Sequence, residues 1–143
     1  MSPDPNQILY PLFAMFLLTG AVLLRLASLR LGAVQQREIT VDYYTTFQNG
    51  EEPAHIRVVT RNFLNLFEMP VLFYVIGILI YVTHQVNPWL VGCAWAYVAL
   101  RCLHTFIHLT SNTVNVRFSI YFASNLVLLA MWGMLFVQLW RAS

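Results

Sequence analysis

The chain has 143 residues, of which 59% are hydrophobic and only 10% are charged, and its formal net charge is +2. This composition is too apolar for a soluble domain of this length and predicts a membrane protein. All eight basic residues are arginine, and they form no basic cluster with interleaved aromatic residues, which argues against nucleic-acid binding.

Four apolar runs are long enough to cross a membrane as helices, because a bilayer core of about 30 Å needs roughly 20 residues at about 1.5 Å each. The predicted spans cover residues 7–31, 57–83, 88–110 and 117–140. The amino end has neither a basic residue nor a small-residue cleavage site, so the first run is expected to remain as a helix. The sequence therefore predicts an all-α, four-helix membrane bundle that forms one domain over residues 1–143.

The arginines that flank the spans predict the orientation of the chain. Of the flanking arginines, only Arg141 lies on the side of the termini. The other flanking arginines lie around the first connection or at the end of the third connection. This second group is Arg25, Arg30, Arg37, Arg57, Arg61 and Arg117. Both termini are therefore expected outside the cytoplasm. The absence of lysine and of a retention signal is compatible with a bacterial inner membrane, with an internal eukaryotic membrane as the alternative.

The connections between the spans differ in length. Residues 32–54 are the long polar stretch, with a turn-like Gln48-Asn49-Gly50 followed by two glutamates, and they predict a partly ordered cytoplasmic loop. The second connection is short and ends in Asn87, a predicted N-cap, and Pro88 at the first helical position. The second and third helices are therefore expected to be antiparallel neighbours.

Aromatic residues and cysteines add two smaller expectations. Tyr10, Trp89 and Trp140 are placed to lie at the outer membrane interface. Cys93 and Cys102 occur on one predicted helix about half a turn out of phase, so they cannot form a disulfide with each other. Both are expected to be ordinary core cysteines.

Polar residues recur three or four positions apart in the cytoplasmic halves of three helices, a spacing that places each set on one helical face. The second helix carries Arg57, Arg61, Asn65 and Glu68, the third carries Arg101, His104 and His108, and the fourth carries Arg117, Tyr121 and Asn125. Because an ionised side chain in the membrane costs from about 2.5 kcal/mol upward, such groups face the interior, pair with each other or line a wet cavity. The three faces therefore predict a shared site.

The charges of this predicted site are unbalanced. Glu68 is the single acidic residue among four arginines of the predicted helices, and this excess of positive charge favours an anionic ligand. The four arginines are Arg57, Arg61, Arg101 and Arg117. Two simpler interpretations remain open. Arg57 and Arg117 could extend to lipid headgroups, and Arg101, Glu68 and Asn65 could form a closed network that only fixes helix packing.

Two further features concern the shape and chemistry of the site. Pro70 removes a backbone donor, so the second helix is expected to bend near Leu66 and widen a cavity on its polar side. His104 and His108 lie one turn apart, and Glu68 could serve as a third metal ligand. Because neighbouring arginines disfavour a cation, no metal site is predicted.

The run from Arg61 to Pro70, with its Arg-x-x-x-Asn-x-x-Glu core, resembles the second-helix signature of the MAPEG family, small membrane proteins of eicosanoid and glutathione metabolism. A second run, from Arg101 through His104 and Arg117 to Tyr121, resembles the third and fourth helices of the prostaglandin E synthases and bacterial members of that family. The similarity covers essentially the whole chain.

The resemblance implies a homotrimer of four-helix protomers that binds glutathione near the cytoplasmic face, between neighbouring protomers. It assigns glutathione-binding or supporting roles to Arg30, Asn65, Glu68, Arg101, His104, Arg117 and Tyr121. Arg117 matches the catalytic arginine that stabilises the glutathione thiolate, and Asn125 replaces a glutamine. Arg61 and His108 lie on the same polar faces and are added to the predicted binding set.

Three positions depart from the family pattern. Leu64 replaces an arginine, His108 replaces a tyrosine, and Phe118 replaces a serine. The leading hypothesis is a membrane glutathione transferase or peroxidase acting on lipophilic electrophiles. The departures motivate an alternative, a non-catalytic membrane subunit or scaffold with a larger membrane-protein partner. An ion or proton pathway is a weaker third hypothesis, since the outer halves of the helices offer few polar residues to continue it.

Overall fold

The computed structural model describes residues 4–47 and 50–142, and all regular structure in these ranges is helical. The predicted turn residues Gln48 and Asn49 lie outside the described residues. A 3-10 turn at Pro5–Ile8 leads into α1 (Leu9–Gln35), followed by α2 (Val41–Thr46), α3 (Ala54–Asn65), α4 (Met69–Val82), α5 (Pro88–Leu109) and α6 (Val114–Ala142).

Four membrane-length apolar helical segments confirm the predicted all-α membrane bundle: Pro5–Gln35, Ala54–Val82, Pro88–Leu109 and Val114–Arg141. The hydropathy pattern placed the starts of the first, second and fourth segments two or three residues too late. Hydropathy marks where a helix leaves the lipid, whereas the helix itself continues until its backbone hydrogen bonding ends. In α1 this occurs beyond Gln35, where Arg37 adopts a left-handed conformation with φ of 57°.

The second span is broken where Pro70 predicted a bend. Helix α3 ends at Asn65 and α4 begins at Met69, with Pro70 in the first turn of α4. Between them, the Phe67 amide donates to the Leu64 carbonyl at 2.9 Å, a tightened turn across three residues. Glu68 lies at the break with φ of −89° and ψ of −102°, outside helical geometry. The prediction of a bend near Leu66 is therefore confirmed.

The bundle packs α5 most extensively against α6, while α1 contacts α3, α4 and α5. The core is mainly apolar, with fully buried Met15, Phe73, Ile76, Leu90 and Met131. Large apolar side chains also cover the outside of the helices, as expected for surfaces in contact with lipid acyl chains.

The predicted start of α5 is confirmed. The Asn87 side chain accepts a hydrogen bond from the Leu90 amide at 3.0 Å, and Pro88 occupies the first helical position. This cap closes the short connection after α4.

The aromatic and cysteine expectations have mixed outcomes. Tyr10, Trp89 and Trp140 are all exposed on the protein surface, where interfacial aromatics belong. Cys93 and Cys102 are not disulfide-bonded. The prediction that both are core residues was wrong for Cys102, which is exposed. It lies on the outward face of α5, where lipid accommodates a weakly polar thiol as readily as a protein core does.

Two described residues of the long connection, Tyr44 and Glu52, contact the first span. Glu52, only 7% exposed, accepts from Arg30 Nε at 2.9 Å and from Thr60 Oγ1 at 2.7 Å. The guanidinium of Arg30 also lies 5.2 Å from the ring centroid of Tyr44 in α2. Burial, followed by the charge of Glu52, raises the pKa of Tyr44. These four residues, here called the loop anchor, fix the connection to α1 and α3.

The loop anchor yields a stability prediction. Glu52→Ala leaves the partly buried Arg30 without its carboxylate, so the free energy of unfolding is expected to fall by about 1–3 kcal/mol. The matched control is Glu51→Ala, because Glu51 is 81% exposed and its pair with Arg57 at 3.2 Å is solvent-screened. Thermal unfolding in detergent measures both variants. Equal unfolding temperatures for the two variants would contradict the stabilising role of the loop anchor.

Candidate functional site

A polar cavity of about 320 Å³, here called the inner cavity, lies between the broken second span, α5 and the start of α6. Its volume is within the range of small-molecule sites, roughly 300–1,000 Å³. The lining residues are Arg61, Asn65, Glu68, His104, His108, Val114, Arg117, Phe118 and Tyr121. The polar faces predicted on three separate helices therefore meet at one cavity.

Three members of the predicted binding set do not line the inner cavity. Arg30 belongs to the loop anchor, where it pairs with Glu52. Asn125 lies deeper along α6, and its Oδ1 atom is buried without a hydrogen-bond partner among the described residues. Arg101 lies behind the cavity wall and is completely buried.

Arg101 is the largest fully buried side chain of the described residues. Its Nη2 atom donates to the Asn65 backbone carbonyl at 3.1 Å and also to the Asn65 side-chain oxygen. Its guanidinium carbon lies 5.5 Å from the ring centroid of Tyr121. The remaining donors, Nε and Nη1, have no hydrogen-bond partner among the described residues. Arg101 therefore brings a positive charge to the back of the cavity without a direct ion pair.

Asn65 connects Arg101 to the acidic group of the site. While its oxygen accepts from Arg101, its Nδ2 atom donates to Glu68 Oε2 at 3.0 Å. The break after α3 allows the hydrogen bond between Asn65 and Glu68, because Glu68 lies outside helical geometry three residues after the end of α3. Part of the packing network that the sequence allowed is thus present, yet it does not fill the cavity beside it.

Arg117 is held by neutral groups. Its Nη1 atom donates to Asn112 Oδ1 at 2.6 Å, and its backbone carbonyl lies 3.2 Å from His104 Nδ1. The exposed side chain of Arg61 has neither a hydrogen bond nor an ion pair to any described residue. The expectation that Arg57 is also uncompensated was wrong, since Arg57 pairs with the loop residue Glu51. The net charge of the inner cavity is still positive.

The two histidines lie side by side, with ring centroids 5.7 Å apart, and the ring of His104 lies 5.8 Å from that of Tyr121. The Nδ1 atom of His108 is buried and has no partner among the described residues. Within residues 4–47 and 50–142, no three histidine, cysteine or acidic side chains lie close enough together to hold a metal ion.

Sequence reasoning missed two residues of the site. Val114 lines the cavity one turn before Phe118 and on the same face as Arg117, so helical spacing could have identified it. Asn112 holds Arg117 from the connection between α5 and α6. No periodic signal marks a loop residue of this kind.

The MAPEG family model matches residues 8–137. The chain belongs to the MAPEG family. The match includes the greater part of all four spans and every residue that lines the inner cavity. This places the MAPEG protein among membrane proteins of glutathione and eicosanoid metabolism. Among proteins with curated descriptions and among solved structures, none matches the chain significantly.

The buried arginine of this MAPEG protein gives a second prediction. Asn65→Leu removes the only side-chain acceptor of Arg101 among the described residues, which should lower the free energy of unfolding by about 1–3 kcal/mol. Asn115→Leu, at an exposed position on α6, is the control and should change stability little. Thermal unfolding in detergent compares them, and an Asn65→Leu protein as stable as wild type would refute the role assigned to Asn65.

Proposed function

We propose that this MAPEG protein is an integral-membrane glutathione-dependent transferase or peroxidase that acts on lipophilic electrophiles. The observation that carries the proposal is the inner cavity, where Arg61 and Arg117 lack acidic partners and Glu68 is the only acidic residue of the lining. Arg101 adds a further positive charge behind the wall. The inner cavity therefore has a net positive charge, which favours an anionic ligand.

Glutathione fits this distribution of charge. It carries two carboxylates and one ammonium group, and it gains a further negative charge when its thiol ionises. Arginine binds carboxylates through paired N–H donors, which suits Arg61. Glu68 offers a carboxylate to the ammonium group, and its position is fixed by Asn65.

Arg117 is the residue proposed to act on the sulfur. A neighbouring guanidinium favours the thiolate and lowers the thiol pKa from about 8.5 toward neutrality. Because Asn112 and not a carboxylate holds Arg117, its charge is available to the ligand. In the transferase reaction the thiol proton is released to solvent. The thiolate sulfur then forms a bond to the electrophilic carbon while the bond from that carbon to the leaving group breaks and the leaving group takes the electron pair.

An apolar rim supports access for a lipophilic substrate. Phe118 lines the inner cavity, is exposed, and stacks with Phe122 at a centroid distance of 6.3 Å. Val114 contributes a second apolar surface. A substrate dissolved in the bilayer could approach the sulfur across these residues while the polar cavity holds the tripeptide.

The assembly and location belong to the same proposal. A homotrimer would place a neighbouring protomer against the open side of the inner cavity, near the exposed Arg61 and Glu68. The cavity lies at the end of the spans flanked by most arginines, so it would open toward the cytoplasm, with both termini on the other side of a bacterial inner membrane.

A non-catalytic subunit or scaffold is the second candidate. Phe118 favours it, because an apolar ring occupies the cavity wall beside Arg117 and offers no hydrogen bond to a thiolate. Leu64, which is exposed, likewise offers no polar group at the neighbouring surface. Mild solubilisation of native membranes separates the candidates, since a stoichiometric larger partner favours the scaffold and an isolated oligomer favours the enzyme.

The third prediction tests the thiolate role. In Arg117→Gln the thiol of bound glutathione should ionise at higher pH, and turnover of a lipophilic electrophile should fall by about 100-fold or more. The thiolate absorbance of the bound tripeptide, followed against pH, measures the first effect directly.

Arg25→Gln is the matched control, because Arg25 is an exposed arginine of α1 that does not line the cavity. It should retain both thiolate formation and turnover. Isothermal titration of the wild-type protein provides the prior test. If millimolar glutathione produced neither binding heat nor thermal protection, the proposed function would be wrong.

A further inference from the structure

A second polar cavity of about 240 Å³, here called the outer cavity, adjoins the inner one. Its lining is Ala54, Arg57, Val58, Arg61, His108, Asn112 and Arg117. Arg61, His108 and Arg117 line both cavities, whereas Arg57 lines only the outer one. Among the described residues, the outer lining contains three arginines and no acidic side chain.

The outer cavity lies where two helices begin and a third ends. Arg57 is in the first turn of α3, Arg117 is in the first turn of α6, and His108 is in the last turn of α5. Neither α3 nor α6 has an acidic residue in its first turn, and no side chain caps α3. The partial positive charges of the two helix starts add to those of the arginines and exceed the single partial negative charge at the end of α5.

Most of these polar groups lack a charged partner. Arg61 has no hydrogen bond or ion pair to a described residue, and Arg117 has only the neutral Asn112. His108 is just 5% exposed, and its buried Nδ1 atom has no partner within the described ranges. Arg57 alone meets a carboxylate, that of the highly exposed Glu51 at 3.2 Å. An unpartnered buried polar atom and two unneutralised guanidinium groups thus surround the same space.

We infer that the outer cavity binds a phosphate group. A phosphate monoester offers three terminal oxygens and a charge of about −1.5 to −2, so several guanidinium groups can each pair with it. A carboxylate has two oxygens and a single charge, which leaves part of this lining unneutralised. The lining residues lie at the ends of three spans, the part of a membrane helix that both lipid headgroups and soluble phosphate compounds can reach. Phosphate binding goes beyond the proposed function because it requires no glutathione, and it shares Arg61 and Arg117 with the proposed glutathione site.

The test uses the full-length protein in an uncharged detergent, without glutathione, and titrates inorganic phosphate at constant ionic strength. Wild type should bind phosphate saturably. Arg57→Gln should weaken binding about fivefold, because it removes one guanidinium from the outer cavity alone. Glu51→Gln should tighten binding about two- to fivefold, because it frees Arg57 from its competing carboxylate. Arg25→Gln should bind like wild type.

A second arm identifies the source of the phosphate. The protein is reconstituted in phosphatidylcholine nanodiscs with or without phosphatidic acid, and the lipids retained after repurification are measured. Retention of phosphatidic acid by wild type but not by Arg57→Gln assigns the site to a lipid headgroup. Saturation by inorganic phosphate that is unaffected by phosphatidic acid assigns it to a soluble phosphate.

Two results would overturn the inference. One is the absence of saturable phosphate binding together with no retention of phosphatidic acid. The other is equal phosphate affinity in Arg57→Gln and Arg25→Gln, which would mean that any binding occurs elsewhere. Neither result depends on glutathione, so the proposed function can fail while the phosphate site stands, or the reverse.

Discussion

The hydrogen bonds between Arg101 and Asn65 are the contact on which the rest of the site depends. A guanidinium buried within a membrane bundle must find acceptors, because lipid supplies none. Asn65 provides two, its side chain and its backbone carbonyl, at the last turn of α3. At the break after α3 this carbonyl accepts only a long bond from the Glu68 amide, at 3.4 Å, which leaves it able to accept from Arg101 as well. The break in the second span and the buried charge on the third are therefore parts of one arrangement.

This arrangement also explains the charge of the inner cavity. Asn65 spaces Glu68 from Arg101, so the one acid of the lining is held at the cavity surface and not consumed in a buried ion pair. Arg117 is oriented by Asn112, another neutral group. Amide side chains fix these groups without cancelling their charge. The result is a cationic cavity with one carboxylate in a defined place, which suits a ligand that has both anionic and cationic groups.

The sequence was sufficient for the spans, the bend and the convergence of polar faces. These follow from strong local rules: apolar length, the missing amide of Pro70, and helical spacing such as that from Arg117 to Tyr121. The resemblance to the family added expected roles for individual residues of the site.

What the sequence did not predict depends on loops and on helix rotation. The pairing of Arg30 with Glu52 joins residues 22 positions apart through a connection with no periodic pattern. Arg57 pairs with Glu51, and Arg117 with Asn112, across connections that likewise have no periodic pattern. Spacing within one helix also could not reveal that Arg101 turns behind the wall, because that depends on how α5 rotates against α3. Tertiary packing decides such details.

In the proposed function, the cationic inner cavity holds an anionic tripeptide against Arg117. A cryo-EM map of the protein in lipid nanodiscs with saturating glutathione tests it most directly. We expect density for the tripeptide within the cavity, with its sulfur beside the Arg117 guanidinium and a carboxylate at Arg61. A cavity that remains without ligand density, with Arg61 and Arg117 extended into the lipid headgroups, would contradict it.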